Sequence, residues 1–255
     1  WFVEKLLAHA LYCPTIDIER ILFVTAGLSG ADLEKVHREA SLSVIREGHG
    51  KIDEDRLVEE VNILKFGLKS EQTSSQFDLE ETAYHEAGHA VLSKILMPER
   101  IIEQISVVAR ENSLGMVSYD RDQTIDYTKD FWFSLTCVAL AGRAAQVKQY
   151  TSKGLDVGAG EDLKQAMHCA WMATVRYGMH EDSYNMDIAS LQEWSSQPLF
   201  QNHIETLLKD WIESATKQTD ILVEKHWSQI EAVAIAVLEK EIIGESELCA
   251  LINDN

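Results

Sequence analysis

Apolar positions recur along most of this chain at the spacing of amphipathic helices. Ile18, Ile21, Leu22 and Val24 lie in a helix over 16–26 that ends at Gly27. Ser29 with Asp32 three residues on has a capping signature, and Leu33, Val36, Ala40, Leu42 and Ile45 carry that helix to about Glu47. After the break at Gly48-His49-Gly50, Asp53 caps a third helix bearing Leu57, Val58, Val61, Ile63 and Leu64. The polar stretch from Lys69 to Gln76 reads as a linker. Beyond it the small Ala87, Gly88 and Ala90 and the apolar Val91, Leu92, Ile95 and Leu96 predict a buried helix, with Asp78 and Glu81 in a capping arrangement and Pro98 as the stop.

The one clear β signal follows. Ile102 to Val108 is rich in β-branched residues, and Met116 to Tyr119 lies across the polar turn Glu111–Gly115, so a hairpin is expected. Thr128 starts a long helix with a small face at Gly142-Arg143-Ala144-Ala145. A glycine-rich loop, Lys153 to Gly160, runs into a helix whose predicted stripe is Leu163, Ala166, Met167, Ala170 and Trp171. Two further helices, around Ile204–Ile212 and Ile221–Val237, read as an antiparallel pair. The fold class expected is mainly α: a helical subdomain over 1–70, then a helical domain over 71–255 with a small β hairpin or sheet.

Chemistry concentrates in the helix after the linker. His85-Glu86-Ala87-Gly88-His89 is an H-E-x-x-H pattern. Residues four apart on a helix stack on one face, so His85 and His89 aim two imidazoles at one point, with Glu86 at its edge. The bland reading is a polar helix face, yet the small and apolar neighbours imply burial. Buried imidazoles beside a carboxylate need a partner, and a catalytic zinc needs this set: two neutral nitrogens and a carboxylate within reach of its water.

Such a zinc usually takes a third protein ligand. A glycine at 92 and a histidine at 95 would extend the metzincin pattern; Leu92 and Ile95 stand there instead. Asp162, at a loop-to-helix junction where free backbone N–H groups favour a carboxylate, is the preferred candidate, with Glu161 and Asp156 as alternatives. Gly158 and Gly160 are expected to let the backbone bend in close. His168, His180, His203 and His226 read as structural or surface residues. Gly48-His49-Gly50-Lys51 is not a phosphate loop, lacking the first glycine, the Ser/Thr after the lysine and a preceding strand.

The chain has 255 residues and a net charge of −19, from 23 basic and 42 acidic side chains, which argues against nucleic acid or an anionic membrane surface as a partner. Its 45% hydrophobic content suffices for a large core. Four scattered cysteines, Cys13, Cys137, Cys169 and Cys249, form no C-x-x-C pair, and Cys137 and Cys169 are expected as buried free thiols. No stretch has the apolar length of a membrane span, and no signal peptide is evident. A start at Trp1 rather than Met suggests a piece of a longer polypeptide.

Taken together, these motifs resemble the FtsH-like ATP-dependent zinc metalloproteases, membrane-anchored AAA+ hexamers, over roughly residues 16–253. Thr82 to Ala90 matches the family's peptidase motif, Gly142-Arg143-Ala144-Ala145 its next helix, and Gly158-Ala159-x-x-Asp162 the segment supplying its third zinc ligand. Tyr177-Gly178-Met179 and Leu238 to Glu241 match further on, while Gly27 to Leu33 and Glu39-Ala40 resemble the lid helices of the ATPase module. The resemblance implies a zincin-type peptidase domain with one zinc ion per chain on His85, His89 and Asp162, and Glu86 as the general base of peptide-bond hydrolysis. It implies polypeptide substrates unfolded and delivered by an attached AAA+ module, ATP and Mg2+ acting only through that missing core. It also implies a homo-hexamer, anchored in a bacterial inner membrane or an organellar membrane through a missing N-terminal segment.

The sequence departs from the family pattern at Ala26 and near Ala109, where prolines are usual, and at Gln146, where an acid is usual. The hairpin over 102–119 is expected to offer an edge strand to substrate backbone, with a proline at Val107 as its test. The alternative from another class is a metal-stabilised assembly or interaction module of an AAA+ hexamer, without proteolytic activity. Glu86 speaks against it, since a purely structural zinc site has no use for a base.

Overall fold

The computed structural model describes residues 12–48, 50–69, 75–110, 115–119, 127–155, 157–183, 185–193 and 200–253. Helices α1 (Ile18–Val24), α2 (Gly30–Glu47) and α3 (Glu54–Phe66) form a small bundle. The sequence signals at their ends hold. Ser29 and Asp32 make a reciprocal capping box, Gly48 closes α2 in the left-handed region at φ 71°, and the Asp53 carboxylate accepts the Arg56 amide. Val36, Ala40 and Val44 face Ile21, Ile52, Leu57, Val58 and Val61. The stripe of α2 is therefore rotated from the expected one, leaving Ile45 71% exposed. His49, residues 70–74 of the expected linker and residues 111–114 of the expected turn lie outside the described residues.

The larger core is built on helix α4 (Gln76–Leu96), which carries the H-E-x-x-H pattern. It begins earlier than the expected Asp78–Glu81 cap. Ser75 is the N-cap and Asp78 its box partner, so the end of the polar stretch is already helix start. The Gly88 face of α4 lies against helix α5 (Lys129–Tyr150), capped by Thr128 as the sequence predicts. The two backbones come very close: a Cβ on Gly88 would stand 2.7 Å from the Ala141 carbonyl oxygen. Helix α6 (Gly160–Trp171) packs on α5 and runs into a π turn over Met172–Arg176. It buries Ala166, Cys169 and Ala170, whereas Leu163 and Met167 of the predicted stripe are exposed.

After α7 (Ile188–Glu193) come α8 (Gln201–Lys225) and α9 (Trp227–Lys240). They do not pack as the expected antiparallel pair. Helix α8 lies mainly along α5, and α9 brings Ile230, Val233, Ala234 and Val237 to the core around α4.

The sheet has three strands, one more than the hairpin. β1 (Ile102–Ser106) lies between β2 (Met116–Tyr119) and β3 (Ile242–Gly244), antiparallel to both, and α10 (Glu245–Asn253) follows. The Val107 amide donates to the Glu241 carbonyl. Val107 therefore faces the β3 side, and the outer edge belongs to β2. Among the described residues no helix is long and apolar enough to cross a membrane. All four cysteines are free thiols, with Cys137 and Cys169 buried as expected.

Candidate metal centre

The third and fourth turns of α4 meet the first turn of α6 over Gly142 of α5. His85 and His89 come from the former and Asp162 from the latter, and their ligand atoms lie within 4.8 Å of one another. The edges of the triangle are 3.0 Å between the two Nε2 atoms, 2.9 Å from His85 Nε2 to Asp162 Oδ2, and 3.4 Å from His89 Nε2 to the same oxygen. Of the alternatives for the third position, Glu161 points to solvent beside Lys164, and Asp156 lies outside the described residues. Asp162 is not spent as a cap, since the N-cap of α6 is Ala159 and makes no side-chain bond. Gly158 lines the cavity of the site, whereas Gly160 takes no positive φ and faces open space.

The outer ring nitrogens settle which atoms face inward. His89 Nδ1 donates to the Val138 carbonyl at 2.7 Å, and His85 Nδ1 donates to Gln146 Oε1 at 2.9 Å. Both partners accept only, so in the neutral rings the two Nε2 lone pairs and a carboxylate oxygen converge with no donor between them. Such a set repels itself unless it holds a cation. A tetrahedral zinc shell with bonds of about 2.0–2.1 Å has ligand–ligand edges of about 3.3 Å, so the residues present fit the ion. The same contacts govern protons. Burial alone lowers the pKa of His85, but the Asp162 hydrogen bond and the charges of Glu86 and Asp162 outweigh it and lift it to about 9. Burial likewise opposes ionisation of Asp162, and its bonds to His85 and His89 hold the carboxyl well below the usual range.

Glu86 is buried at 7% exposure, and burial pushes its pKa up, against the pull of His85 and His89. Among the described residues no hydrogen bond engages its carboxylate. It lines the same cavity of about 530 Å³ as His85, His89, Asp162, Gln146, Met116, Val117 and Tyr119. The start of β2 reaches this cavity because Gly115 has no side chain: a Cβ there would stand 2.5 Å from Thr82 and 3.0 Å from Glu86 Cγ.

Three positions on α5 complete the site, of which the sequence marks Gln146 as a departure and Gly142 as part of a small face. Val138, Gly142 and Gln146 recur every four residues, so one face of α5 presents a carbonyl acceptor, a gap and an amide acceptor to the histidines. A Cβ on Gly142 would lie 2.5 Å from His89 Nε2 and 2.7 Å from His85 Nε2. The spacing was the available signal; the small face had been read as packing alone. The other described histidines stand elsewhere: His37 bonds the Tyr12 hydroxyl, His168 is exposed on α6, His180 accepts the Asp182 amide, His203 bonds the Asp182 carbonyl, and His226 pairs with Gln229.

Residues 15–59 match the AAA+ lid domain. The chain is 26% identical to a protein named ATP-dependent zinc metalloprotease FTSH 10, mitochondrial, of Arabidopsis thaliana, over 94% of this chain and 30% of that one. It is 28% identical to the ATP-dependent zinc metalloprotease FtsH of Thermus thermophilus, over 91% of this chain and 38% of its relative. The chain thus spans about a third of the length of these relatives. Residues 72–251, which hold the histidine pair, the aspartate and the helices between them, match Peptidase family M41. With that match running from α4 to α10, the chain belongs to Peptidase family M41.

Proposed function

We propose that this chain is the peptidase part of a zinc-dependent endopeptidase, in which His85, His89 and Asp162 hold one zinc ion and Glu86 is the general base. The inward-facing triangle of two imidazole nitrogens and a carboxylate oxygen, with an unengaged buried carboxylate beside it, is the observation that carries this reading. Bound zinc supplies Lewis acidity, which acidifies a water and polarises the scissile carbonyl. Glu86 then takes the proton from water on its carboxylate and delivers it to the nitrogen of the departing amine. Gln146 and the Val138 carbonyl hold the two imidazoles in the tautomer that points Nε2 inward. The outer edge of β2 offers backbone groups to an extended substrate, so that a peptide adds to the sheet as a further strand beside Glu86.

The helical bundle over 1–70 is assigned as the lid of an AAA+ module, and 71–255 as the peptidase domain. In the whole protein an ATPase core, with ATP and Mg2+, unfolds polypeptides and feeds them to the zinc site of a membrane-anchored homo-hexamer. The relatives' names support the ATP dependence and the lid match supports the AAA+ module.

Cleavage of casein by the full-length protein with ATP, and of a short unstructured peptide without it, tests the assignment. Glu86→Gln is expected to keep its zinc and lose turnover by roughly 10²–10⁴-fold. Undiminished turnover overturns the role of Glu86, and no turnover by the zinc-loaded wild type is the result that a metal-stabilised assembly module predicts. Proline at Val117 or Ser118, whose amides point to opposite sides of β2, tests the edge. The outward-facing position is expected to cut peptide turnover with zinc content intact.

A further inference from the structure

Arg100 sits in the turn between α4 and β1, and its backbone is fixed from both sides. Its amide donates to the Met97 carbonyl at 2.9 Å, and its carbonyl accepts from Lys94 Nζ at 2.9 Å, the lysine being itself paired with Glu245. The guanidinium lies over the Tyr119 ring, with Cζ 3.5 Å from the ring centroid. Tyr119 is the last residue of β2, paired with Ile102 in the register. Stacking on the ring face leaves the N–H groups along the guanidinium edge free to donate.

Nothing among the described residues uses those donors. Arg20, Arg56, Arg110 and Arg176 each meet a carboxylate, but no ion pair or hydrogen bond engages the Arg100 guanidinium. The titratable neighbours that bear on it are Tyr119 and Cys169, and burial pushes both of their pKa values up, so that both are neutral at working pH. In a chain with 42 acidic and 23 basic side chains, this guanidinium is partly withdrawn from water and has no counter-charge among the described residues. It opens into the cavity that holds His89 and Asp162, next to the apolar Leu135, Val138 and Ala139.

We propose that Arg100 makes this site select a carboxylate side chain, aspartate or glutamate, at one position flanking the scissile bond. The inference rests on the peptidase reading above. A planar fork held over an aromatic ring matches a carboxylate with two parallel N–H···O bonds, and the apolar wall excludes the water that would otherwise weaken them. The amide of glutamine or asparagine has the shape but not the charge. A lysine at the same position meets the guanidinium with like charge.

The test uses the full-length zinc-loaded protein and short unstructured peptides blocked at both termini, so that no terminal carboxylate competes. At each position flanking the cleaved bond, Glu, Gln and Lys peptides are compared by kcat/KM. Wild type is expected to prefer Glu over Gln at one position by about 10- to 100-fold, the worth of charge-assisted hydrogen bonds, with Lys poorest. Arg100→Gln is expected to bring the Glu/Gln ratio close to one with zinc content retained, and Arg100→Lys to restore part of it. Arg100→Glu is expected to reverse the order in favour of Lys. Equal cleavage of Glu and Gln peptides by wild type overturns the inference, whatever the variants do, as does a ratio that survives Arg100→Gln. If no peptide is cut by wild type, or if cleavage persists in Glu86→Gln, the peptidase reading itself fails and takes this inference with it.

Discussion

Gln146 accepts the Nδ1–H of His85 with a neutral amide oxygen, which fixes the ring but lends it no charge. A carboxylate there would accept more strongly and make Nε2 a better donor to a metal. Gln146→Glu is therefore expected to tighten zinc binding by about tenfold, and Gln146→Ala to weaken it by about 10- to 100-fold, as read by competition with a chelating dye. At this scale the sequence was most legible where spacing and residue type coincide. His85, Glu86 and His89 declare themselves by helical spacing and chemistry. Asp162 was recognisable as a carboxylate at a helix start, although nothing local distinguishes it from Glu161; only the fold turns one towards the histidines and the other to solvent. Gln146 was noticed as a departure, but its contact with His85 spans 61 residues and two helices, which no local pattern encodes.

At the scale of elements, the starts of α2, α3, α4 and α5 follow polar caps closely, because a cap satisfies backbone donors with atoms two or three residues away. Ser75 does this for α4. Ser75→Ala is expected to lower stability by about 1 kcal/mol in denaturant unfolding. Its partner Asp78 has a pKa lowered by the bonds it makes to Ser75. A carboxyl lowered on folding stabilises above its unfolded pKa, and the contribution is lost as pH falls through the folded value. Asp78→Asn is therefore expected to lower stability at neutral and alkaline pH and to flatten the acid limb, with stability below the folded pKa little changed. Close approach is the other local device. Gly142→Ala would set a methyl carbon against both ligand nitrogens, and loss of zinc binding from a folded helical protein is the expected result by metal analysis and circular dichroism. β3 escaped the sequence reading because three residues at the end of a helix carry no alternation, and only their pairing with β1 makes them a strand.

Across the whole molecule, buried polar contacts join the bundle of α1–α3 to the sheet beside the zinc helix. Lys65 Nζ reaches both Glu103 oxygens at 3.0 and 3.1 Å, the Gln104 amide donates to Asn62 Oδ1 at 2.9 Å, and Arg110 donates to Glu59 and to the Gly67 carbonyl at 3.0 Å. Arg110 is 1% exposed at its side chain. Removing Arg110 takes its donors from the Gly67 carbonyl and from Glu59, which keeps Lys69 at 3.5 Å. Arg110→Ala is expected to split unfolding into two steps and to expose the segment after Gly67 to limited proteolysis. None of these pairings was visible in sequence, since each joins a helix of the first 70 residues to β1 or the turn after it. The division into a helical bundle and a zinc-helix core was foreseeable from periodicity, while the seam between them was not.

The account turns on two imidazoles and one carboxylate meeting a single zinc ion while Glu86 stays unbound. The zinc K-edge absorption spectrum of the zinc-loaded protein tests this most directly. It is expected to show a four-coordinate shell of nitrogen and oxygen at about 2.0–2.1 Å, unchanged in Glu86→Gln and altered in Asp162→Ala. A shell containing sulfur, or one that changes with Glu86 and not with Asp162, would contradict it.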